Sequence, residues 1–382
     1  MIHDMATAKE TDSKEEKLKK IQDLTKRIVD LCEKLNKEID RKENPHIEIP
    51  IRGSANVFFD EKQRKIILGD KIAKRYFFNV AHARRFMQTM LVASYVKKDL
   101  LGNDLTATLR DLYYAKKHTI KGTKEDTIDE QKESDLAIVD LEVALDSFRE
   151  RLHLRAEPKG RMAGDVIIND RVRDKVDTID LSRMGSGGWA VPSIVEQIEF
   201  KSVDVEYVLV AEKNAIFDGL NEDGYWKKEK CLLMTTAGQA ARGARRLLQR
   251  LSTELKLPVY CLTDADPYGW YIYSTMKYGS MALAHESDRL GCPEMKFLGM
   301  SISDIERYDL TAVTIKAKDV DVKRAEEIRD YAWFKSKEWQ VELKKFLEKR
   351  IKAEIQALSS KNLQYISNSY LPEKIKNKDF LP

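Results

Sequence analysis

The sequence predicts a multidomain protein of mixed α/β class, with a helical module first and an open, largely parallel α/β sheet after it. Three observations predict this. Apolar residues recur at helical spacing through much of the first 150 positions, and beyond Lys159 short apolar runs alternate with helical stretches. The length of 382 residues also exceeds one ordinary domain of about 100–200 residues.

Taken in order, residues 13–40 carry Leu18, Ile21, Leu24, Ile28, Leu31, Leu35 and Ile39 at spacings of three and four, which predicts an amphipathic helix. Ser13 and Glu16 have the spacing of a capping box at its start, and Pro45 closes it. Ile47–Ile51, Ala55–Phe59 and Arg64–Leu68 read as short strands, so residues 1–70 form a helical arm with strands. Such a helix either covers its own core or docks on a partner. Residues 71–157 form a second region. A helix from Asn79 to Tyr95 carries Phe86, Met87, Met90 and Leu91, and a turn at Gly102-Asn103-Asp104 precedes a helix starting near Thr106. A third helix, Ser134 to Arg149, offers Leu136, Val139, Val143 and Phe148 to the core. The alternating run Arg151–Arg155 reads as a β-ribbon, and three helices followed by a ribbon suggest a helix-turn-helix or winged-helix module.

Residues 158–382 change texture. Val205–Val210, Lys230–Met234 and Pro258–Leu262 are apolar runs of the kind buried on both faces of a parallel sheet. Helices are expected at Asn214–Leu220, Gly238–Thr253 and Pro267–Tyr278, giving β-α-β-α-β-α order. Lys318–Ser359 reads as a charged helical region that completes the domain.

Composition narrows the class. Hydrophobic residues are 42% and charged residues 34%, with 17 glycines and 9 prolines, which excludes collagen-like, low-complexity and wholly disordered chains. With 67 Lys and Arg against 63 Asp and Glu the net charge is +4, a balance that permits nucleic acid without requiring it. Cys32, Cys231, Cys261 and Cys292 are widely spaced with no CxxC pair, so neither a zinc knuckle nor a disulfide framework is expected. No run approaches 18 apolar residues, and the charged amino terminus is unlike a signal peptide. A cytoplasmic protein that does not span a membrane is the expectation.

Two places could carry chemistry. In open α/β sheets, ligands bind beyond the carboxyl ends of the strands. Glu212 follows Val208-Leu209-Val210-Ala211, and Asp264 and Asp266 follow Val259-Tyr260-Cys261-Leu262-Thr263. Three such acids suit Mg²⁺, a hard cation that takes oxygen ligands and substrate phosphates. An Asp-x-Asp before Pro267 and Gly269 is equally the pattern of a helix N-cap. The second place is Thr108-Leu109-Arg110-Asp111-Leu112-Tyr113-Tyr114, where Arg110 and Tyr114 share a helix face. A tyrosine hydroxyl there could act as a nucleophile if a base, cation or metal activates it; the alternative is a pair of core aromatics. Met184–Gly188 is a glycine loop without the Lys-Ser/Thr of a P-loop, and the chain has no recognisable ATPase motif. Arg242, Arg245 and Arg246 either face DNA or form a solvated helix face.

With these residues in place, the chain resembles the A-subunit family of DNA topoisomerase VI, archaeal type IIB enzymes related to the meiotic double-strand-break transesterase. The resemblance runs from about Arg52 to the carboxyl terminus. It rests on Arg110-Asp111-Leu112-Tyr113-Tyr114, on Glu212 in Ala-Glu-Lys-Asn-Ala-Ile-Phe, and on Leu262-Thr263-Asp264-Ala265-Asp266-Pro267-Tyr268-Gly269. It implies a CAP-like winged-helix domain at 71–157 and a Toprim metal-binding domain with carboxyl-terminal helices at 158–382. Tyr114 matches the nucleophile, Tyr113 its aromatic neighbour, Arg110 a phosphate-stabilising cation, and Glu212, Asp264 and Asp266 the Mg²⁺ acids. The implied activity is DNA cleavage and religation through 5′-phosphotyrosyl links, allowing duplex passage, relaxation and decatenation. The implied partners are double-stranded DNA, a second copy in a homodimer, and a GHKL-type ATPase B subunit that uses the ATP in an A₂B₂ heterotetramer. A transesterase that does not religate, or a Toprim nuclease, is the alternative.

Overall fold

The computed structural model describes residues 2–172 and 175–382, with side chains from Leu18 onward. The chain divides into two compact units, one formed by residues 1–56 with 68–157 and the other by 57–67 with 158–382.

In the first unit one helix spans Ile2–Asp40, beginning well before residue 13. Residues 2–12 contain Ala, Met, Lys and Glu with no proline or glycine, so nothing interrupts the backbone hydrogen bonding upstream. The side chains of Ser13 and Glu16 lie outside the described residues. The middle of this helix's apolar face is buried within the unit, whereas Leu18 and Ile39 near its ends are exposed. Leu24 and Ile28 are buried with Val92, Ala93 and Val96, together with Leu112, Ile138 and Leu141, and Leu35 is buried with Ile47, Ile49 and Phe86.

Strand His46–Pro50 pairs antiparallel with Ile72–Tyr76. The second strand was not legible in the sequence, because Lys74 and Arg75 break its apolar alternation. Ala55–Phe59, expected as a strand, begins instead with a 3₁₀ turn at Ser54–Asn56, and the strand is Val57–Asp60.

Helix Val80–Tyr95 is capped by Asn79, whose side chain accepts from Ala81 N–H. Its buried residues are Phe86, Gln88, Thr89, Val92 and Ala93, whereas Met87, Met90 and Leu91 are only half-buried. Asp104 takes a left-handed turn, and helix Leu109–Lys116 follows. The next helix is Gln131–Ala144, which buries Ala137, Ile138 and Leu141 and leaves Leu136 exposed. Asp140 on this helix is fully buried and accepts from three arginines, Arg52 at 2.5 Å, Arg85 at 2.7 Å, and Arg75.

The expected β-ribbon at 151–155 is not formed. His153 adopts a positive φ of 59°, which breaks the extended run, and only Leu154–Arg155 forms a strand, paired in parallel with Ala107–Thr108.

The second unit is built on a six-stranded sheet in the order Trp189–Ala190, Arg161–Ala163, Cys231–Thr235, Tyr207–Ala211, Val259–Leu262, Lys296–Gly299. The last four strands are mutually parallel, and the first two are added antiparallel. Tyr207–Ala211 and Cys231–Thr235 are buried at every position, as strands covered on both faces must be. Each fully buried Val or Leu there contributes about 1.5–3 kcal/mol.

Helices Asn214–Glu222, Arg242–Thr253 and Pro267–Tyr278 follow the first three parallel strands. Trp270 on the third packs against Trp339 and Phe346 of helix Lys337–Lys349, at ring distances of 5.7 and 6.0 Å. The charged helical region Lys318–Ser359 holds helices Asp319–Arg329 and Lys337–Lys349 and also contains strand Ile351–Lys352, paired antiparallel with Ile315–Lys316. A separate three-stranded antiparallel sheet, Ile198–Val203, Val166–Val172 and Lys175–Asp180, precedes the parallel strands.

Candidate active site

Along the parallel part of the second unit's sheet the strands appear in the order second, first, third, fourth. The connections from the first and third strands therefore leave in opposite directions, which opens a crevice at the carboxyl ends of Tyr207–Ala211 and Val259–Leu262. The register pairs Ala211 with Leu262, and Glu212 N–H donates to Leu262 O at 3.0 Å. Glu212 and Asp264 thus emerge side by side at this edge.

Asp266 serves first as the N-cap of helix Pro267–Tyr278. Its Oδ1 accepts from Gly269 N–H at 2.7 Å, with Pro267 in the first turn. The N-cap reading of the Asp-x-Asp therefore holds for one oxygen. Its Oδ2 lies 3.9 Å from Lys352 Nζ. Gly269 makes the close turn possible: a Cβ there would sit 2.7 Å from Thr263 Oγ1 and 2.9 Å from Asp264 O.

The electrostatics of this edge are those of crowded acids. Burial, then the charges of Asp264 and Asp266, push the Glu212 carboxyl up to about 7, against partial opposition from Asp264 N–H and Lys213. Glu212 Oε2 is buried without a hydrogen-bond partner. Burial likewise raises Asp266, with Gly269 N–H opposing and Asp264 adding to the rise. Asp264 is better compensated. Its Oδ1 accepts from Ile355 N–H at 3.0 Å and its Oδ2 lies 2.7 Å from Lys213 Nζ. An orphaned buried oxygen among three hard donors fits a divalent cation with oxygen ligands.

Sequence reasoning missed Lys213, Lys352 and Glu354. Lys213 could have been found from its place beside Glu212 at a strand end. Lys352 and Glu354 carried no local signal, because a backbone bridge between Ala265 and Ala353 is what brings them to the edge.

In the first unit, Thr108 and Asp111 form a reciprocal capping box that starts helix Leu109–Lys116 and sets its rotation. Leu112 points inward and is fully buried, while Tyr114 is 62% exposed. The two neighbouring tyrosines differ in their hydroxyls. Tyr113 donates to Asp129 O at 3.0 Å and accepts from Lys117 Nζ at 3.0 Å. Among the described residues, none is hydrogen-bonded to the Tyr114 hydroxyl. The Arg110 guanidinium carbon lies 5.9 Å from the Tyr114 ring centroid, so the two share the exposed face. Tyr114 is therefore not a core aromatic.

Other candidate features have structural roles. The Met184–Gly188 loop is tied down, its carbonyls accepting from Asn221 at Gly185 and Ser186 and from Arg161 at Gly187. The arginines of helix Arg242–Thr253 do not form a solvated face: Arg245 is 2% exposed, Arg242 pairs with Glu286 at 2.7 Å, and Arg246 pairs with Glu196 at 3.1 Å.

Fold and site together define an α/β protein that gathers acids at a sheet switch point and carries a tyrosine-bearing helical unit. The family description "Type IIB DNA topoisomerase" matches residues 84–154. "All-beta domain in DNA topoisomerase VI alpha subunit" matches residues 157–204, and the Toprim domain of the topoisomerase 6 A-subunit/Spo11 family matches residues 207–375. The A-subunit of the type 2 DNA topoisomerase 6 of Pyrococcus abyssi is 47% identical over 371 residues, covering 94% of this chain and 96% of the relative. That of Sulfurisphaera tokodaii is 46% identical, covering 91% and 93%, and that of Methanocaldococcus jannaschii is 34% identical, covering 92% and 94%. The chain belongs to the A-subunit family of topoisomerase VI, and its enzymatic class is that of a DNA topoisomerase. The 157–204 match falls on the antiparallel strands, which were not read from the sequence although Ile198-Glu199-Phe200-Lys201 alternates apolar and polar residues.

Proposed function

We propose that this chain is the DNA-cleaving and religating component of an ATP-dependent type IIB topoisomerase, with Tyr114 as its nucleophile. The observation that carries this reading is the contrast between adjacent tyrosines: Tyr113 has its hydroxyl engaged, and Tyr114 is exposed beside Arg110. In the proposed step Tyr114 Oη loses its proton to water or a nearby base and bonds to a backbone phosphorus. The P–O3′ bond breaks, and O3′ takes up a proton. The product is a 5′-phosphotyrosyl link with a free 3′ hydroxyl, and the reverse attack reseals the strand without ATP. Arg110 offsets negative charge on the phosphoryl oxygens.

Glu212 and Asp264, with Asp266 adjacent, are the residues that would hold Mg²⁺, which when bound supplies positive charge for the scissile region. The family further implies a CAP-like winged-helix domain at 71–157 and a Toprim domain with carboxyl-terminal helices at 158–382, which follow the helical arm and short strands of residues 1–70. It also implies double-stranded DNA as substrate and a homodimer in which one copy's tyrosine meets the other's acids. A GHKL-type B subunit binds the ATP in an A₂B₂ assembly that works on chromosomal DNA in the cytoplasm. Among the described residues no helix is long and apolar enough to cross a membrane.

The test is adduct trapping. The protein is incubated with supercoiled DNA, Mg²⁺, an ATP analogue and a B subunit, denatured rapidly, and assayed for protein on 5′ ends. An adduct formed by wild type and Tyr113→Phe but lost in Tyr114→Phe is the expected result. DNA cleavage that depends on Glu212 with no adduct in any variant would replace this reading with a hydrolytic nuclease. Adducts without ATP-dependent relaxation would indicate a transesterase that does not religate.

A further inference from the structure

The Lys213 ammonium has oxygen neighbours on three sides: Asp264 Oδ2 at 2.7 Å, Glu354 Oε2 at 3.2 Å and Gln356 Oε1 at 3.4 Å. Those neighbours come from two separate stretches of chain. Asp264 follows a central strand, whereas Glu354 and Gln356 arrive on the segment after strand Ile351–Lys352. That segment is laid beside the acids by backbone pairing: Ala265 N–H donates to Ala353 O at 2.9 Å and Ile355 N–H donates to Asp264 Oδ1 at 3.0 Å. The next cation along, Lys352, lies 3.1 Å from Asp321 and 3.9 Å from Asp266.

One positive centre among carboxylate and amide oxygens has the donor set of a divalent-cation position, though with longer contacts than the roughly 2.1 Å of Mg²⁺. Glu212 Oε2, by contrast, has no partner. The edge therefore contains two unequal places for positive charge, one supplied by the chain and one not.

We propose that Lys213 is a resident counter-ion. Its ammonium occupies the position between Asp264 and Glu354 that a second divalent ion would take, and so limits the carboxylate cluster to one tightly held ion. This rests on reading Glu212, Asp264 and Asp266 as a cation site. A second ion would have to displace an ammonium hydrogen-bonded to Asp264 and would be repelled by it while it remained nearby. Removing the charge opens the position, with Glu354 as the added ligand. Lys213 is thus a positioning residue that sets stoichiometry and holds Asp264 in place before the ion binds.

The test uses the full-length, metal-free chain titrated with Mn²⁺, with free Mn²⁺ read by electron paramagnetic resonance and heats by calorimetry. Wild type and Lys213→Arg should bind one ion per chain, Lys213→Gln two, and the double variant Lys213→Gln, Glu354→Gln one. Lys213→Met, close in shape to lysine, serves if the glutamine variant does not fold. Two ions in wild type, or one ion in a folded variant lacking the Lys213 charge, would overturn the proposal. Glu212→Gln separates the two layers. It should weaken the first ion at least tenfold, and unchanged first-ion affinity would reject the underlying site reading instead.

Discussion

At the residue scale, adjacent side chains in this protein differ because their surroundings differ. Tyr113 and Tyr114 have the same chemistry, yet one hydroxyl is held by Asp129 and Lys117 and the other is exposed. Tyr113→Phe should therefore cost at most about 1 kcal/mol of stability, the worth of a partly exposed hydrogen bond, and leave adduct formation intact. Tyr114→Phe should leave the melting temperature unchanged and abolish the adduct. Lys277 shows the opposite situation, a cation buried to 2% exposure with Tyr273 Oη at 3.2 Å and Met295 O at 2.8 Å as its partners. Burial first, then repulsion from Lys296 and Arg64, lowers its pKa to about 7. Between pH 7 and the ordinary lysine value the unfolded chain binds this proton and the folded chain does not, so stability contributed here rises with pH across that window. Urea denaturation at pH 6.5 and pH 9 should show that rise in wild type and a smaller one in Lys277→Met. Equal slopes would refute the assignment.

At the element scale, two short motifs aim the candidate groups. The Thr108–Asp111 capping box begins a helix of only eight residues, so the cap supplies a large share of that helix's order. Thr108→Ala should cost about 1 kcal/mol and lower adduct yield by letting Tyr114 fray, measured by thermal melting and trapping in parallel. The Asp266-Pro267-Tyr268-Gly269 turn brings Asp264 against Gly269 without room for a methyl group. Gly269→Ala should destabilise the protein by about 1–3 kcal/mol and weaken Mn²⁺ binding, since the displaced backbone carries Asp264 with it. A stable variant with unaltered Mn²⁺ affinity would show that the turn does not position the acids. Other elements were misread for physical reasons. The run at 151–155 has strand alternation, but a left-handed His153 ends it. Leu136 was assigned to the inward face because apolar type alone cannot separate a buried position from an exposed one.

At the scale of the whole molecule, Tyr114 belongs to one compact unit and Glu212, Asp264 and Asp266 to the other, so the proposed reaction needs both. If the tyrosine of one copy works with the acids of its partner, a mixed dimer of Tyr114→Phe and Glu212→Gln chains retains one intact site. It should nick supercoiled DNA without linearising it. If both groups act within one chain, every site in that mixed dimer carries a lesion and nothing is cut.

The order of residues alone carries the local and periodic part of this protein. Apolar runs set the buried parallel strands, an N-cap pattern marked Asp266, and acids following strands were placed at the sheet edge where ligands bind. These follow from interactions spanning a few residues, which a linear pattern records. Tertiary structure alone decided which helix faces are buried, that Arg245 lies inside rather than facing DNA, and that residues 351–355 lie beside Asp264. Lys352 and Glu354 reach the acids through a bridge spanning almost ninety positions, and such a contact leaves no mark in the local pattern. The pairing of Lys213 with Asp264 and Glu354 is of the same kind, since its partners meet only when the chain returns to the edge of its own sheet.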